Sequence, residues 1–356
     1  MNTKISEILK MAVANKASDV HFMVGLLPKI RIYGELTEVT NFDISNPAAY
    51  TEMIMSILTD EQKTRFIKER EFDFSLAIDE ARFRVNIYFS KGLVGAALRT
   101  ITSEIPTLET LNLPSILSSF ANQKQGFILV TGPTGHGKST TVASLLNEIN
   151  KSQSCHLVTV EDPIEYQIKP IRSLVSQREL GSDTLSFSLA LRSVLRQDPN
   201  VVFVGEMRDL DTIQSAITIA ETGHLVFSTL HTNSASQTID RIIDVFPEGG
   251  KDQIRVQLAE VITAVVSQRL LPAIDGGRVP AVEILIATPA VKNIVREGKT
   301  FMLDNVIQTS VDMGMMSLET SLSRLVKQGK ITEETAMAYC LRPQELQNLL
   351  RNTRIL

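Results

Sequence analysis

Apolar residues recur at helical spacing at the start of the chain, at Ile5, Ile8, Leu9, Ala12 and Val13, which predicts an amphipathic opening helix. The pattern then changes to alternation. SDVHF, PKIRIYG and ELTEV are rich in β-branched or alternating apolar residues, with glycine at a turn, and predict short strands. Helices are predicted over residues 46–58, with Ser45 as cap ahead of Pro47, and over 59–69. Strands return in EFDFSLAI, ARFRVNIYFS and GLVGAALRTI, so residues 1–101 read as a small α/β domain. Residues 102–114, with Pro106, Pro114 and several polar positions, read as a linker.

From about residue 115 the rhythm is strand followed by helix, which gives residues 115–356 the pattern of an α/β domain with a parallel sheet. FILVTG (127–132), HLVTVED (156–162), VVFVGE (201–206) and HLVFSTLH (224–231) are continuous apolar runs of the kind covered on both faces. In an open parallel sheet ligands bind beyond the carboxyl ends of the strands, so the polar residues ending these runs are expected to converge. Beyond about residue 283 the chain reads as helical to its end, in PAVKNIVREG, SLETSLSRLVKQG and TEETAMAYC.

Composition narrows the function classes. With 43% apolar residues in 356, the chain can form two cores. Lys and Arg total 36 against 40 Asp and Glu, a formal net charge of -4, so no global basic footprint for nucleic acid or an anionic membrane exists. Cys155 and Cys340 stand far apart without a CxxC, which supports neither a disulfide framework nor a zinc site and fits a reducing cytoplasm. The amino terminus lacks the features of a signal peptide. No apolar run approaches the roughly 20 residues that span a bilayer, so direct membrane insertion is not expected.

The chemistry starts at TGPTGHGKSTT, residues 131–141. Gly132, Gly137, Lys138 and Ser139 complete G-x-x-x-x-G-K-S between a predicted strand and a predicted helix. In such a cradle, formed here by Gly132, Pro133, Thr134, Gly135, His136, Gly137, Lys138, Ser139 and Thr140, backbone N–H groups turn onto phosphates. Lys138 meets the β- and γ-phosphates and the Ser139 hydroxyl ligands Mg²⁺, so a nucleoside triphosphate with Mg²⁺ is expected. Glu206 stands where a Walker B acid belongs, although a strand-end acid can also cap the next helix, as Asp209 and Asp211 can. Glu161, Asp162 and Glu165 crowd three carboxylates near another strand end, suiting either a metal-bound, water-activating site or a solvated loop. His231, at a strand's carboxyl end, is placed to sense a γ-phosphate; His224 opens the same run.

These stretches together resemble the PilT-family ATPases, motors that retract type IV pili. The resemblance runs from SDVHF, PKIRIYGEL and ARFRVNIYF through GPTGHGKSTT, VEDPIEY, the Q-R-E of 177–179, LRQDPNVVFVGEMRD and ETGHLVFSTLHTNSA to IDRIIDVFP. It implies a PAS-like amino-terminal domain, a RecA-like core with carboxy-terminal helical additions, and a homo-hexameric ring hydrolysing ATP with Mg²⁺. It places Glu161, Asp162 and Glu165 in the Asp box and assigns Glu165 as the general base orienting the attacking water. Glu206 becomes the acid acting on Mg²⁺ through water, and His224 and His231 form the His box. Arg82, Arg84 and Arg99 fall in the stretch expected to supply arginine fingers, although pairing with Glu71 or Asp73 is a competing role.

An inner-membrane pilus platform protein and a PilU-type paralogue are the implied partners, at the cytoplasmic face of the pilus base. Two positions depart from the family pattern. AVKNIVRE (290–297) carries Lys292 where the family has arginine, and His136 occupies a loop position usually small and polar, where its side chain is expected to face outward. A PilU-type accessory ATPase, or an extension or type II secretion ATPase, is the nearest alternative; the latter usually carry an extra amino-terminal domain and a four-cysteine insert, which this sequence does not display. A RecA-like nucleic-acid translocase lacks the basic cluster it needs.

Overall fold

The computed structural model describes residues 1–32, 34–40, 46–79, 81–101 and 104–351. Ser45 and the first two residues of the 102–114 segment lie outside these. The chain divides into two compact units: Met1–Glu104 with Pro163–Gln167, and Ile105–Asp162 with Ile168–Leu356.

In the first unit α1 (Thr3–Ala14) precedes strands β1 (Asp19–Met23), β2 (Leu26–Ile32) and β3 (Glu35–Glu38). Helices α2 (Pro47–Met55) and α3 (Asp60–Glu69) follow, then β4 (Glu71–Ile78), β5 (Ala81–Ser90) and β6 (Leu93–Ile101). The strands form one antiparallel sheet in the order β3-β2-β1-β6-β5-β4. Ile5, Ile8, Leu9 and Ala12 of α1 are buried, whereas Val13 falls beside that stripe and is exposed. Asn46 caps α2 by accepting from the Ala49 N–H, and Thr59 with Gln62 forms a capping box for α3. Alternation along β5 and β6 sends Phe83, Val85, Ile87, Ala96 and Leu98 to the core. Arg82, Arg84 and Arg99 take the opposite face, with Arg84 and Arg99 directly across from each other.

The second unit begins by burying Leu108 and Leu113 from the segment read as a linker, followed by a 3₁₀ turn at Ser115–Asn122. Its elements are β7 (Gly126–Thr131), α4 (Lys138–Ser152), β8 (His156–Glu161), β9 (Leu174–Glu179), α5 (Phe187–Val194) and β10 (Val201–Val204). They continue with α6 (Leu210–Glu221), β11 (Leu225–Leu230), α7 (Ala235–Asp244), α8 (Lys251–Val261), β12 (Ile262–Pro272) and β13 (Arg278–Ile286). The chain ends in α9 (Pro289–Arg296), α10 (Leu303–Thr309), α11 (Leu318–Lys327), α12 (Glu333–Tyr339) and α13 (Pro343–Arg351).

The sheet order is β13-β12-β7-β11-β10-β8-β9, parallel throughout except for the antiparallel edge strand β13. Phe127 and Leu129 of β7 enter one core layer, and Ile128 and Val130 enter the other. Burial on both faces explains the unbroken apolar runs. The expectation of α/β architecture holds, but β9, β12 and β13 were not foreseen. The last strand continues to Ile286, so the helical stretch expected from about residue 283 starts only with α9. Leu271, Val279 and Ala281 of this hairpin pack with Leu318, Leu322 and Leu346 of the terminal helices.

In α9, Val291 and Val295 are buried while Asn293 and Arg296 face outward. Lys292 Nζ donates to the Glu260 carbonyl at 2.8 Å, satisfying an open carbonyl near the end of α8. One donor suffices there, so a lysine fills the place without arginine's fork. Among the described residues no helix is long and apolar enough to cross a membrane.

Candidate active site

Three adjacent parallel strands bring the site together: β7 runs into the glycine loop, β11 ends before His231, and β10 ends before Glu206. Gly132 begins the loop at φ 140, and a Cβ there would run into the Gln268 carbonyl oxygen, so the close approach of β12 requires glycine. Gly137 precedes α4 without a side-chain cap, leaving the first-turn N–H groups for an anion.

Lys138 is buried, and its Nζ donates to the carbonyls of Gly132 (2.8 Å) and Pro133 (3.0 Å). It also stands 3.5 Å from His231 Nδ1, which lies 3.2 Å from Thr134 Oγ1. On the other side of the ring, His231 Nε2 is 3.0 Å from Glu206 Oε1, and Glu206 Oε2 accepts from Arg208 at 2.8 Å. Burial pushes the Glu206 carboxyl upward, but the Arg208 hydrogen bond and the charges of His231 and Arg208 prevail and hold it below the usual range. Glu206 is therefore a carboxylate at neutral pH.

Gly205 brings the acid into place. A Cβ on it would stand 3.2 Å from both Glu161 Cα and the Val160 oxygen, so the end of β8 leaves little room for a side chain at this residue. Thr229 Oγ1 donates to the Gly205 carbonyl and Ser228 Oγ to the Val204 carbonyl, binding β11 to the same strand end.

The three clustered acids have different surroundings. Glu161 is buried and accepts from Thr159 Oγ1 (2.6 Å) and Gln177 Nε2 (3.2 Å), so it ties β8 to β9. Asp162 is exposed, with its charge felt by Arg208, and Glu165 is exposed within Pro163–Gln167, the segment that belongs to the first unit. No set of three or more His, Cys, Asp or Glu suited to a metal occurs among the described residues. Glu161 and Asp162 are neighbours at a strand end, where successive side chains point to opposite sides.

His224 is not brought to His231. It opens β11, where Nδ1 lies 3.0 Å from both Thr222 Oγ1 and the Ile219 carbonyl at the end of α6. Arg99 Nε pairs with Asp19 at 3.0 Å, a partner other than Glu71 or Asp73, while Arg84 is exposed.

His136 does not face outward as expected. Its Nδ1 accepts from the Leu270 N–H at 3.0 Å, while its own carbonyl accepts from Gln268 Nε2 at 2.9 Å. Gln268 Oε1 accepts from Thr141 Oγ1 at 2.7 Å, and Arg278 Nη1 donates to the Gly135 carbonyl at 3.1 Å. Thr131 and Ser267 hydroxyls meet at 2.9 Å. The glycine loop is thus clamped by β12 and β13, through residues that sequence reasoning missed. The signal was available in Asp275-Gly276-Gly277, a turn between two apolar runs.

Loop, uncapped helix start, lysine and carboxylate fit a nucleoside triphosphate, and the Ser139 hydroxyl with Glu206 is the oxygen donor set that Mg²⁺ prefers. The model of the family described as type II/IV secretion system protein matches residues 1–279. The type IV pilus retractation ATPase PilT of Pseudomonas aeruginosa is 44% identical, covering 93% of this chain and 96% of that protein. A twitching motility protein of Neisseria gonorrhoeae is 48% identical over 87% and 83%, respectively. The type IV pilus ATPase PilU of P. aeruginosa is 36% identical over 98% and 91%. The crystal structure of the pilus retraction motor PilT with bound ADP matches with a TM-score of 0.89 at 44% identity, covering 98% of this chain and all of that one.

Proposed function

Because the chain belongs to the type II/IV secretion system protein family, among the PilT-type pilus retraction ATPases, we propose that it hydrolyses ATP to drive retraction of type IV pili. The observation that carries the chemistry is the line Lys138–His231–Glu206 across three neighbouring strand ends. Lys138 supplies a cation for the β- and γ-phosphates, and the first-turn N–H groups of α4 supply the cradle. Ser139 and, through water, Glu206 hold Mg²⁺, which adds positive charge at the phosphates. Glu165 orients the attacking water, and His231 links the phosphate end of the site to Glu206.

Arg84 is the finger we favour, because it is exposed on the face it shares with Arg82 and Arg99, while Arg99 is engaged by Asp19. The working assembly is a homo-hexamer on an inner-membrane platform protein at the pilus base, a reading supported by the likeness to the retraction motor.

Pilus dynamics in a strain lacking the chain test the direction of work: pili should form and fail to retract, and loss of the pili themselves would instead indicate an extension motor. Likeness to PilU over 98% of the chain supports the accessory role as a second reading. Retraction that continues without this chain would favour it.

A further inference from the structure

His231 leads into a short loop, residues 232–234, from which α7 starts at Ala235. Two carboxylates from distant parts of the chain fix that first turn. Glu283 of β13, 1% exposed, accepts the Ala235 N–H at 2.7 Å, and Asp304 of α10 accepts from Ser236 Oγ at 3.4 Å. One guanidinium addresses both. Arg342, ahead of α13, places Nη2 2.7 Å from Asp304 Oδ2 and 4.0 Å from Glu283 Oε2.

The other arm of the same fork reaches the terminal helices. Arg342 Nη1 is 2.9 Å from Glu319 of α11 and 3.6 Å from Glu345 of α13. Glu319 is fully buried and also accepts the backbone N–H groups of Leu341 and Arg342, both at 2.9 Å, so the base of the fork is itself held. Glu283 Oε2 is the one oxygen in this group that is buried without a hydrogen bond. Four carboxylates therefore share one cation, and none of these groups is needed to bind phosphate.

We propose that Arg342 is a positioning residue for the His231 end of the site: by gripping the two carboxylates that hold the start of α7, it couples the arrangement of α10–α13 to the loop after His231. A fork suits the task because one arm holds α7's anchors while the other holds α11 and α13. A change in packing among the terminal helices is then felt beside the γ-phosphate position without any of them touching nucleotide.

The charge state of Glu283 tunes the grip. Burial raises its carboxyl to about 7, with Asp304 and Glu319 adding to the rise and the Ala235 N–H and Arg342 opposing it. Arg269 of β12 is the other cation that feels its charge, and Glu345 completes the surrounding set. As pH rises through neutrality Glu283 ionises, its bond from Ala235 becomes charge-assisted and Arg342, already paired with Asp304 and Glu319, gains a further anionic neighbour at 4.0 Å.

The test rests on ATP hydrolysis at this site, so the unmodified full chain must first show it; a wild-type protein without ATPase activity would overturn the functional reading instead. Arg342→Lys keeps the charge but cannot grip both sides. We expect kcat to fall about threefold to thirtyfold with KM for ATP within about twofold, in a protein that still melts cooperatively. Glu283→Gln keeps an acceptor for Ala235 and should remove a rise in kcat that the wild type shows between about pH 6 and 8. Unchanged kcat and KM in Arg342→Lys, or a pH profile that Glu283→Gln leaves intact, would overturn the proposal. If Arg342→Lys does not fold, the Glu283→Gln profile decides.

Discussion

His231 Nε2 stands 3.0 Å from Glu206 Oε1, with the other ring nitrogen turned toward Thr134 and Lys138. A hydrogen on Nε2 donates to the carboxylate, and Nδ1 faces the threonine hydroxyl and the lysine. His231→Ala should cut kcat for ATP about a hundredfold by releasing Glu206 from this geometry, whereas His231→Gln should recover part of the rate. Steady-state hydrolysis by the two variants checks the order; equal rates would dissociate the ring from turnover.

His136→Ser leaves the Leu270 N–H without its acceptor. An unpaired, partly buried donor costs about 1–3 kcal/mol, which predicts ATP binding weakened about tenfold if the loop bears that cost. Nucleotide titration measures it.

The same histidine predicts an acid dependence. Burial, and then the charges of Arg269, Lys138 and Arg278, lower its pKa in the folded chain, so folding favours the neutral ring. The stabilisation is complete above the ordinary value of about 6.5 and is lost as pH falls from there through the lowered one. Melting temperature should therefore decline over that interval in the wild type, and less steeply in His136→Ser.

Gln268→Leu removes both ends of a clamp, leaving the buried Thr141 hydroxyl and the His136 carbonyl without their partner. We expect KM for ATP to rise more than kcat falls, because the loop's starting geometry is disturbed and no reacting group is lost. Gln268→Glu keeps only the acceptor and should be intermediate.

Gly205→Ala forces a methyl group between the ends of β10 and β8. Overpacking of this kind costs about 1–3 kcal/mol, read as a lower denaturant midpoint, and displaces Glu206 so that turnover falls as well. Normal turnover in a destabilised variant would separate the packing from the acid.

The parallel strands were legible because both faces are buried, which makes each a compact apolar word such as VVFV or HLVFSTL. Strand β12 was not, since VITAVVSQRLLP follows α8 with no glycine or proline between them, and its apolar residues continue those of the helix. With that hairpin unseen, Gln268 looked like any polar residue and His136 like a surface side chain. Glu161 drew attention for a related reason: nearness in sequence to Asp162 and Glu165 suggested a shared site, while its partners are Thr159 on the same strand and Gln177, which is visible only when β8 and β9 pair. Arg342 carries no motif at all. Its meaning comes from four acids, the first and last of which, Glu283 and Glu345, are 62 residues apart.

The strand order β7-β11-β10 also acts as a spacer. Neighbouring strands lie about 4.8 Å apart, so the carboxyl ends of β7, which leads through the glycine loop to Lys138, and of β10, which leads to Glu206, are offset by about 10 Å. Were the two strands adjacent, Lys138 and Glu206 could close into an ion pair and cancel each other. The interposed strand keeps opposite charges from annihilating within a single site, and fills the gap with an imidazole that can touch both.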